Sequence, residues 1–202
     1  RRTTFFKIFW LAGWSFVYNF HFKIGFNFLL SNLDHDKKIS LSQAFLLTAL
    51  SWLSIAIFGS LPFIFSELNL SVTDAFFESM SGITTTGSTI ITNLNETPKS
   101  ILLWRGMLQW LGGIGIIVMA ITLMPLMNIG GMQLFVISTS DTPEKILPRS
   151  KEIALRLILV YSGLTFICAF FYKIFGMNFF DSIVHSMTTI ATGGFSNYNE
   201  SI

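Results

Sequence analysis

Two short Thr- and Gly-rich segments contain the residues of this sequence best suited to a chemical function, which is cation coordination. They are Thr84-Thr85-Thr86-Gly87 and Ala191-Thr192-Gly193-Gly194. A dehydrated alkali cation such as potassium needs several weak oxygen ligands in place of its water shell. The carbonyls and Thr hydroxyls of an extended loop supply such ligands, and Gly lets the carbonyls point inward. Both segments are therefore candidate filter loops, although one copy alone could equally be a polar turn.

The two segments end two copies of an internal repeat. Each copy begins with a helix-start signal, Ser71-Val72-Thr73-Asp74 or Asn178-Phe179-Phe180-Asp181, in which an N-cap acceptor precedes a carboxylate by three residues. At a fixed offset of 107 residues, Asp74, Ser79, Met80, Ile83, Thr85 and Gly87 recur as Asp181, Ser186, Met187, Ile190, Thr192 and Gly194. The recurrence favours a filter segment over an isolated turn. Helix capping explains both aspartates, with ion binding as the alternative.

Membrane-spanning helices are the elements that would hold these loops. Of the 202 residues, 51% are hydrophobic and 12% are charged, against about 25% charged in soluble domains. Apolar stretches near the roughly 20 residues that cross a bilayer lie at 4–33, 41–65, 101–127 and 153–175, the first being interrupted by Lys and His. The segments 71–93 and 178–200 are too short to cross. We therefore expect an all-α membrane protein with two half-length helices.

The distribution of basic residues predicts the orientation. The connections 32–43 and 128–151 carry Lys37, Lys38, Lys145, Arg149 and Lys151, whereas 67–100 carries only Lys99 and the tail from 176 has no Lys or Arg. By the positive-inside rule the first two connections are cytoplasmic, and both half-helices enter from the outer face as re-entrant loops. The net charge of +2 gives no reason to expect a nucleic-acid partner.

Several other residues are candidates for a structural or functional role. Arg105 could repel cations, anchor a loop or snorkel to the interface. The pair Gly112-Gly113 favours close helix packing, with a gating hinge as the alternative.

Cys168 has no second cysteine to pair with and is expected to pack as a small apolar residue. The three His residues lack metal-ligand spacing, and no motif of an enzyme or a cofactor site is present, so we expect no enzymatic activity.

Six motifs together resemble one family, the TrkH-type subunits of the Trk/Ktr/HKT potassium transporters. The motifs are Leu61-Pro62-Phe63-Ile64-Phe65-Ser66, Thr73-Asp74-Ala75-Phe76-Phe77-Glu78-Ser79, Thr84-Thr85-Thr86-Gly87, Met107-Leu108-Gln109-Trp110-Leu111-Gly112-Gly113, Gly130-Gly131-Met132-Gln133-Leu134 and Ala191-Thr192-Gly193-Gly194-Phe195-Ser196. The resemblance implies a potassium-channel-like pore of four joined repeats, each a membrane helix, a re-entrant pore helix with its filter loop, and a second membrane helix. Each repeat supplies one filter glycine, here Gly87 and Gly194.

The resemblance also implies partners and a location. Family members form homodimers in the bacterial inner membrane, and a cytosolic nucleotide-binding regulatory ring contacts their cytoplasmic face, which here would include 131–152. The expected organisation is an N-terminal membrane helix and linker at 1–40, pore repeat 1 at 41–130, the cytoplasmic connection at 131–152 and a partial repeat 2 at 153–202 without its closing helix. Repeats three and four are missing, which suggests a fragment of a longer transporter.

The expected function is passive or ion-coupled potassium transport. A non-conducting structural or assembly subunit of a membrane complex is the alternative.

Overall fold

The computed structural model describes residues 41–127 and 146–200. The chain divides into two compact units, Arg1–Ala44 and Phe45–Ile202. Of the first unit, only residues 41–44 belong to the described part. The predicted membrane helix at 4–33 and most of the predicted cytoplasmic connection lie outside the described residues.

All regular secondary structure in the described part is helical, which confirms the predicted fold class. Its elements in chain order are α1 (Leu41–Ile64), α2 (Val72–Ile83), a 3₁₀ turn (Leu94–Glu96), α3 (Lys99–Met127), α4 (Ile146–Ile174) and α5 (Phe179–Ile190).

Three of these helices are long and apolar enough to cross a membrane. The candidate spans are Ser42–Ile64, Lys99–Ala120 and Leu155–Ile174, as the hydropathy pattern predicted. In the apolar part of each span, 44% of α3 is buried inside the protein, against 17% of α1 and 11% of α4. Helix α3 is therefore the central one, while α1 and α4 expose apolar side chains such as Leu46 and Phe166.

Helix α4 begins before the apolar stretch that predicts its membrane span. The predicted apolar stretch starts at residue 153, but the helix starts at Ile146. Pro148 falls in its first turn, where the backbone N–H has no intrahelical partner to lose, so a proline is tolerated there. The helix therefore continues past the apolar segment into residues that were assigned to the connection.

The two half-length helices α2 and α5 share their length and their caps. Each has 12 residues, which is about 18 Å of helix, or roughly half the hydrocarbon thickness of a bilayer. The N-cap residues Ser71 and Asn178 have nearly identical backbone angles, with φ −65° and −66°. Their side chains accept the backbone N–H of Asp74 (3.1 Å) and Asp181 (3.0 Å). The predicted helix starts are therefore confirmed.

Glycines allow α3 to lie directly against both short helices. A Cβ atom on Gly112 would lie 1.9 Å from the carbonyl oxygen of Ile83, the last residue of α2. A Cβ on Gly113 would lie 3.1 Å from the Cα of Ala191, which follows α5. Because α3 runs without interruption through both glycines, close packing accounts for them.

Candidate functional site: the two Thr/Gly loops

The two loops leave their helices along the same backbone path. Thr85 and Thr192 both have φ of 56°, and Gly87 and Gly194 have φ of 80° and 75°. This left-handed region is strained for a residue with a Cβ, and a β-branched Thr adopts it rarely. Its occurrence at corresponding positions of both copies shows that the repeat extends to the loop backbone.

The same hydrogen bonds hold both loops to their helices. Thr86 and Gly87 donate their backbone N–H groups to the carbonyl of Ser81, at 3.0 and 3.5 Å. Gly193 and Gly194 donate in the same way to the carbonyl of Thr188, at 3.0 and 3.4 Å. The loop N–H groups are thus turned back towards the helix.

The carbonyl oxygens of these loops are left available. Within residues 41–127 and 146–200, no group donates a hydrogen bond to the carbonyls of 85–87 or of 192–194. Buried or membrane-embedded carbonyls without partners are costly unless a ligand or water satisfies them. A weakly held cation is a ligand of suitable chemistry for such a set.

The structure brings the two loops into contact. A Cβ on Gly87 would lie 1.9 Å from the carbonyl oxygen of Gly193, so the first loop approaches the second through backbone alone. Thr86, Thr192 and Gly194 are exposed, whereas Ala191 and Gly193 are buried.

The hydroxyl of Thr84, a predicted cation ligand, is already hydrogen-bonded within the protein. The Thr84 hydroxyl donates to the Met80 carbonyl at 2.7 Å and lies 2.8 Å from the Thr86 hydroxyl. At the corresponding position the second copy has Ala191, which lacks a hydroxyl. The Thr84 side chain thus fastens the helix end, and its hydroxyl is less available to an ion than the loop carbonyls are.

Buried side chains of the half-length helices hold the chain that returns from each loop. The Glu78 carboxylate, with no exposed surface, accepts the backbone N–H of Ile90 at 2.9 Å and the Thr89 hydroxyl at 2.9 Å. At the same offset of 107 residues, His185 Nε2 accepts the backbone N–H of Asn197 at 3.5 Å. His185 Nδ1 lies 3.0 Å from the Asp181 carbonyl, which can only accept, so the ring is the neutral Nδ1–H tautomer.

Arg105 anchors both loops and does not snorkel. Its side chain is 1% exposed. Its Nε forms a 2.7 Å ion pair with Glu78 Oε1, and its Nη1 donates to the Ser196 carbonyl at 2.9 Å. The guanidinium also lies 4.1 Å from the centre of the Phe195 ring. Of the three roles considered for Arg105, loop anchoring is the one that the contacts support.

Comparison with known proteins identifies the family. The family model described as "TrkH: Cation transport protein" matches residues 14–202. This chain belongs to the TrkH family. The resemblance that the sequence motifs indicated is therefore confirmed.

Relatives of known name share much of this TrkH-family chain. It is 48% identical over 159 residues to the Trk system potassium uptake protein TrkI of Halomonas elongata, covering 79% of this chain and 32% of that protein. It is 43% identical over 199 residues to the Trk system potassium uptake protein TrkH of Escherichia coli K12, covering 95% of this chain and 41% of that protein. The chain therefore spans well under half the length of these relatives.

A solved structure supports the same fold. The crystal structure of the potassium transporter TrkH from Vibrio parahaemolyticus superposes with a TM-score of 0.69 at 44% identity, covering 82% of this chain and 32% of that one. With three candidate spans and this similarity, the TrkH-family chain is a multi-pass membrane protein.

Asp181 of this TrkH-family chain does more than occupy the first turn of α5. Its carboxylate accepts from Asn197 Nδ2 at 2.6 Å, from the Tyr198 hydroxyl at 2.6 Å and from the Asn178 amide. Burial raises the pKa of Asp181, but these hydrogen bonds more than offset it and hold the pKa below its ordinary value of 3.8. Because the Tyr198 hydroxyl donates its proton to the Asp181 carboxylate, the pKa of the Tyr198 phenol is raised. Asp181 thereby ties the returning chain to the start of its own helix.

Sequence reasoning missed the roles of Glu78 and His185 in this TrkH-family site, and that of Gln109, whose Oε1 accepts the Phe195 N–H at 3.1 Å. Glu78 and His185 occupy the same repeat position but differ in residue type, so a search for identities passes over them. The available signal was a polar side chain at one position of both short amphipathic helices.

Proposed function

We propose that this chain forms part of the ion pathway of a potassium uptake transporter, with loops 84–87 and 191–194 as two filter segments. One observation carries the proposal: two loops of the same backbone conformation meet at Gly87 and Gly193 with their carbonyls unpartnered among the described residues. The printed names of the relatives, potassium uptake proteins of Trk systems, support the choice of ion.

The geometry supports coordination by backbone oxygens. In our proposal, the carbonyls of Thr85, Thr86 and Gly87 and those of 192–194 replace part of the hydration shell of a potassium ion, and the hydroxyls of Thr86 and Thr192 add weak ligands. The α2 and α5 C-termini precede the loops directly, so the negative ends of their dipoles favour a cation there. No ionised side chain is required as a ligand.

The wider assembly is part of the same proposal. The chain supplies one of four repeats in the segment 41–130 and most of a second in the segment 153–202. The whole protein lies in a bacterial inner membrane as a homodimer. A cytosolic nucleotide-binding subunit regulates it through a face that includes 131–152. An N-terminal membrane helix and its cytoplasmic linker, at 1–40, precede the pore repeats.

A matched pair of glycine substitutions tests transport. Gly87→Ala in the full-length gene product places a Cβ at a left-handed φ and against the Gly193 carbonyl. We expect rubidium uptake to fall at least about tenfold, because such backbone strain costs about 1–3 kcal/mol before the clash is counted. Gly163→Ala, in α4 with nothing within 4 Å of the added Cβ, should transport normally.

Growth of cells that lack potassium uptake provides the decisive comparison. The Gly163→Ala protein should restore growth at low potassium and Gly87→Ala should not, at equal amounts in the membrane. Should the unsubstituted protein fail to restore growth, or should both variants restore it equally, a non-conducting assembly subunit would be the better account.

A further inference from the structure

Gln109 is a fully buried amide that lies against the second filter loop. Its side chain has no exposed surface. Its Oε1 accepts the backbone N–H of Phe195 at 3.1 Å. The position of a Cβ on Gly193 is 2.4–2.6 Å from the three amide atoms of Gln109, and that of a Cβ on Gly87 is 3.7 Å from Nε2. Gln109 therefore contacts the second loop closely and reaches towards the first.

The Gln109 amide nitrogen carries two N–H donors, and neither is used within the described part of the chain. Among residues 41–127 and 146–200, its Nε2 has no hydrogen-bond partner. A buried donor without a partner costs about 1–3 kcal/mol. Such a cost is tolerated where a polar group is needed, and here the donor is beside the backbone of two loops that carry unpartnered carbonyls.

Arg105 lies one turn before Gln109 on the same face of α3. Gln109 binds the N–H of Phe195, while Arg105 binds the carbonyl of the next residue, Ser196, at 2.9 Å. Arg105 also pairs with Glu78, which holds the return of the first loop. The two side chains therefore fasten the second loop to α3 at adjacent backbone groups, and one of them is bonded to the first repeat as well.

We propose that Gln109 and Arg105 are positioning residues that set the spacing between the two filter loops and thereby determine selectivity for potassium over sodium. This inference rests on the proposed function. Selectivity between these ions depends on how many carbonyls surround the ion and how closely they are held. A side chain that fixes two loops at one separation restricts their adjustment around the smaller sodium ion.

The test measures uptake of rubidium and of sodium by the full-length protein in vesicles, reported as a ratio. Gln109→Leu keeps similar volume but removes the acceptor for Phe195, and we expect its rubidium-to-sodium ratio to fall at least about fivefold while transport continues. Arg105→Lys keeps the charge beside Glu78 but cannot bind Glu78 and Ser196 together, and the ratio should fall in the same direction. Leu111→Ala, on an exposed part of α3, is the matched control and should keep the original ratio.

The outcomes separate this inference from the proposed function. An unsubstituted protein that takes up no rubidium would contradict the proposed function itself. Normal rubidium uptake with an unchanged ratio in both variants would overturn the positioning role alone. If Gln109→Leu does not reach the membrane, Gln109→Asn, which keeps the amide but is one methylene too short to reach Phe195, decides by the same ratio.

Discussion

At the scale of single residues, the repeat conserves a hydrogen bond while it changes the residue that makes it. Glu78 and His185 both accept the backbone N–H that lies twelve residues later, in Ile90 and Asn197. The carboxylate also neutralises buried Arg105, whereas the imidazole is neutral and faces no such cation in the hydrogen bonds described. The two positions share one structural role but differ in the charge they must balance.

Substitution by Gln at both positions should therefore have unequal effects. Glu78→Gln leaves the Arg105 charge buried without its partner and should lower the free energy of unfolding by about 3–5 kcal/mol. His185→Gln exchanges one neutral acceptor for another and should cost less than about 1 kcal/mol. Thermal unfolding of the purified full-length protein in detergent measures both, and equal losses would show that the Glu78–Arg105 pair is not the difference between the repeats.

At the scale of elements, α3 supports both half-length helices. It packs against α2 through Leu108 and Ile101 and approaches α5 where Gly106 lies near Val184. Trp104 Nε1 also donates to the Gly59 carbonyl of α1 at 2.9 Å. The small residues of α3 are therefore placed where other backbones approach it.

Two glycines of α3 give a matched test of this packing. Gly112→Ala directs a methyl group at the Ile83 backbone, which cannot rotate away, and overpacking of this kind costs about 1–3 kcal/mol. Gly115→Ala meets only the Trp52 ring at 3.7 Å, an ordinary contact. We expect a lower midpoint of thermal unfolding for Gly112→Ala only; equal midpoints would contradict the described α2–α3 contact.

At the scale of the whole molecule, the predicted orientation follows from where basic residues lie. The chain after each half-length helix returns to the side where its helix began, and Leu94 and Asn199 join the two returns by a 2.9 Å hydrogen bond. The positive-inside rule predicts that this side faces outward. Exposed positions there include Thr92 and Glu200.

Cysteine labelling of intact cells tests the orientation. Cys168 is the one cysteine of this sequence, so the background carries Cys168→Ser and Ser in place of every cysteine that the full-length protein has outside it. Thr92→Cys and Glu200→Cys should react with a membrane-impermeant maleimide from outside, and Lys38→Cys and Lys145→Cys only after permeabilisation. The reverse pattern would mean that the half-length helices enter from the cytoplasmic face.

The sequence by itself determined the three spans of the described part, the starts of the two half-length helices and the existence of two related loops. Each of these depends on short-range features: an apolar run of sufficient length, an acceptor three residues before a carboxylate, and a Thr/Gly pattern that recurs at one offset. The start of α4 is not one of them, because a helix can continue beyond the apolar segment without any hydropathy signal.

Only the tertiary structure decided which residues hold the loops together. Arg105 meets Glu78 across 27 positions and Ser196 across 91, and Gln109 meets Phe195 across 86. Such contacts depend on how α3 packs between two short helices, and no local pattern encodes that packing. From the sequence alone, a polar residue on an apolar helix is compatible with several roles. Its contacts in the folded structure show which of them it has.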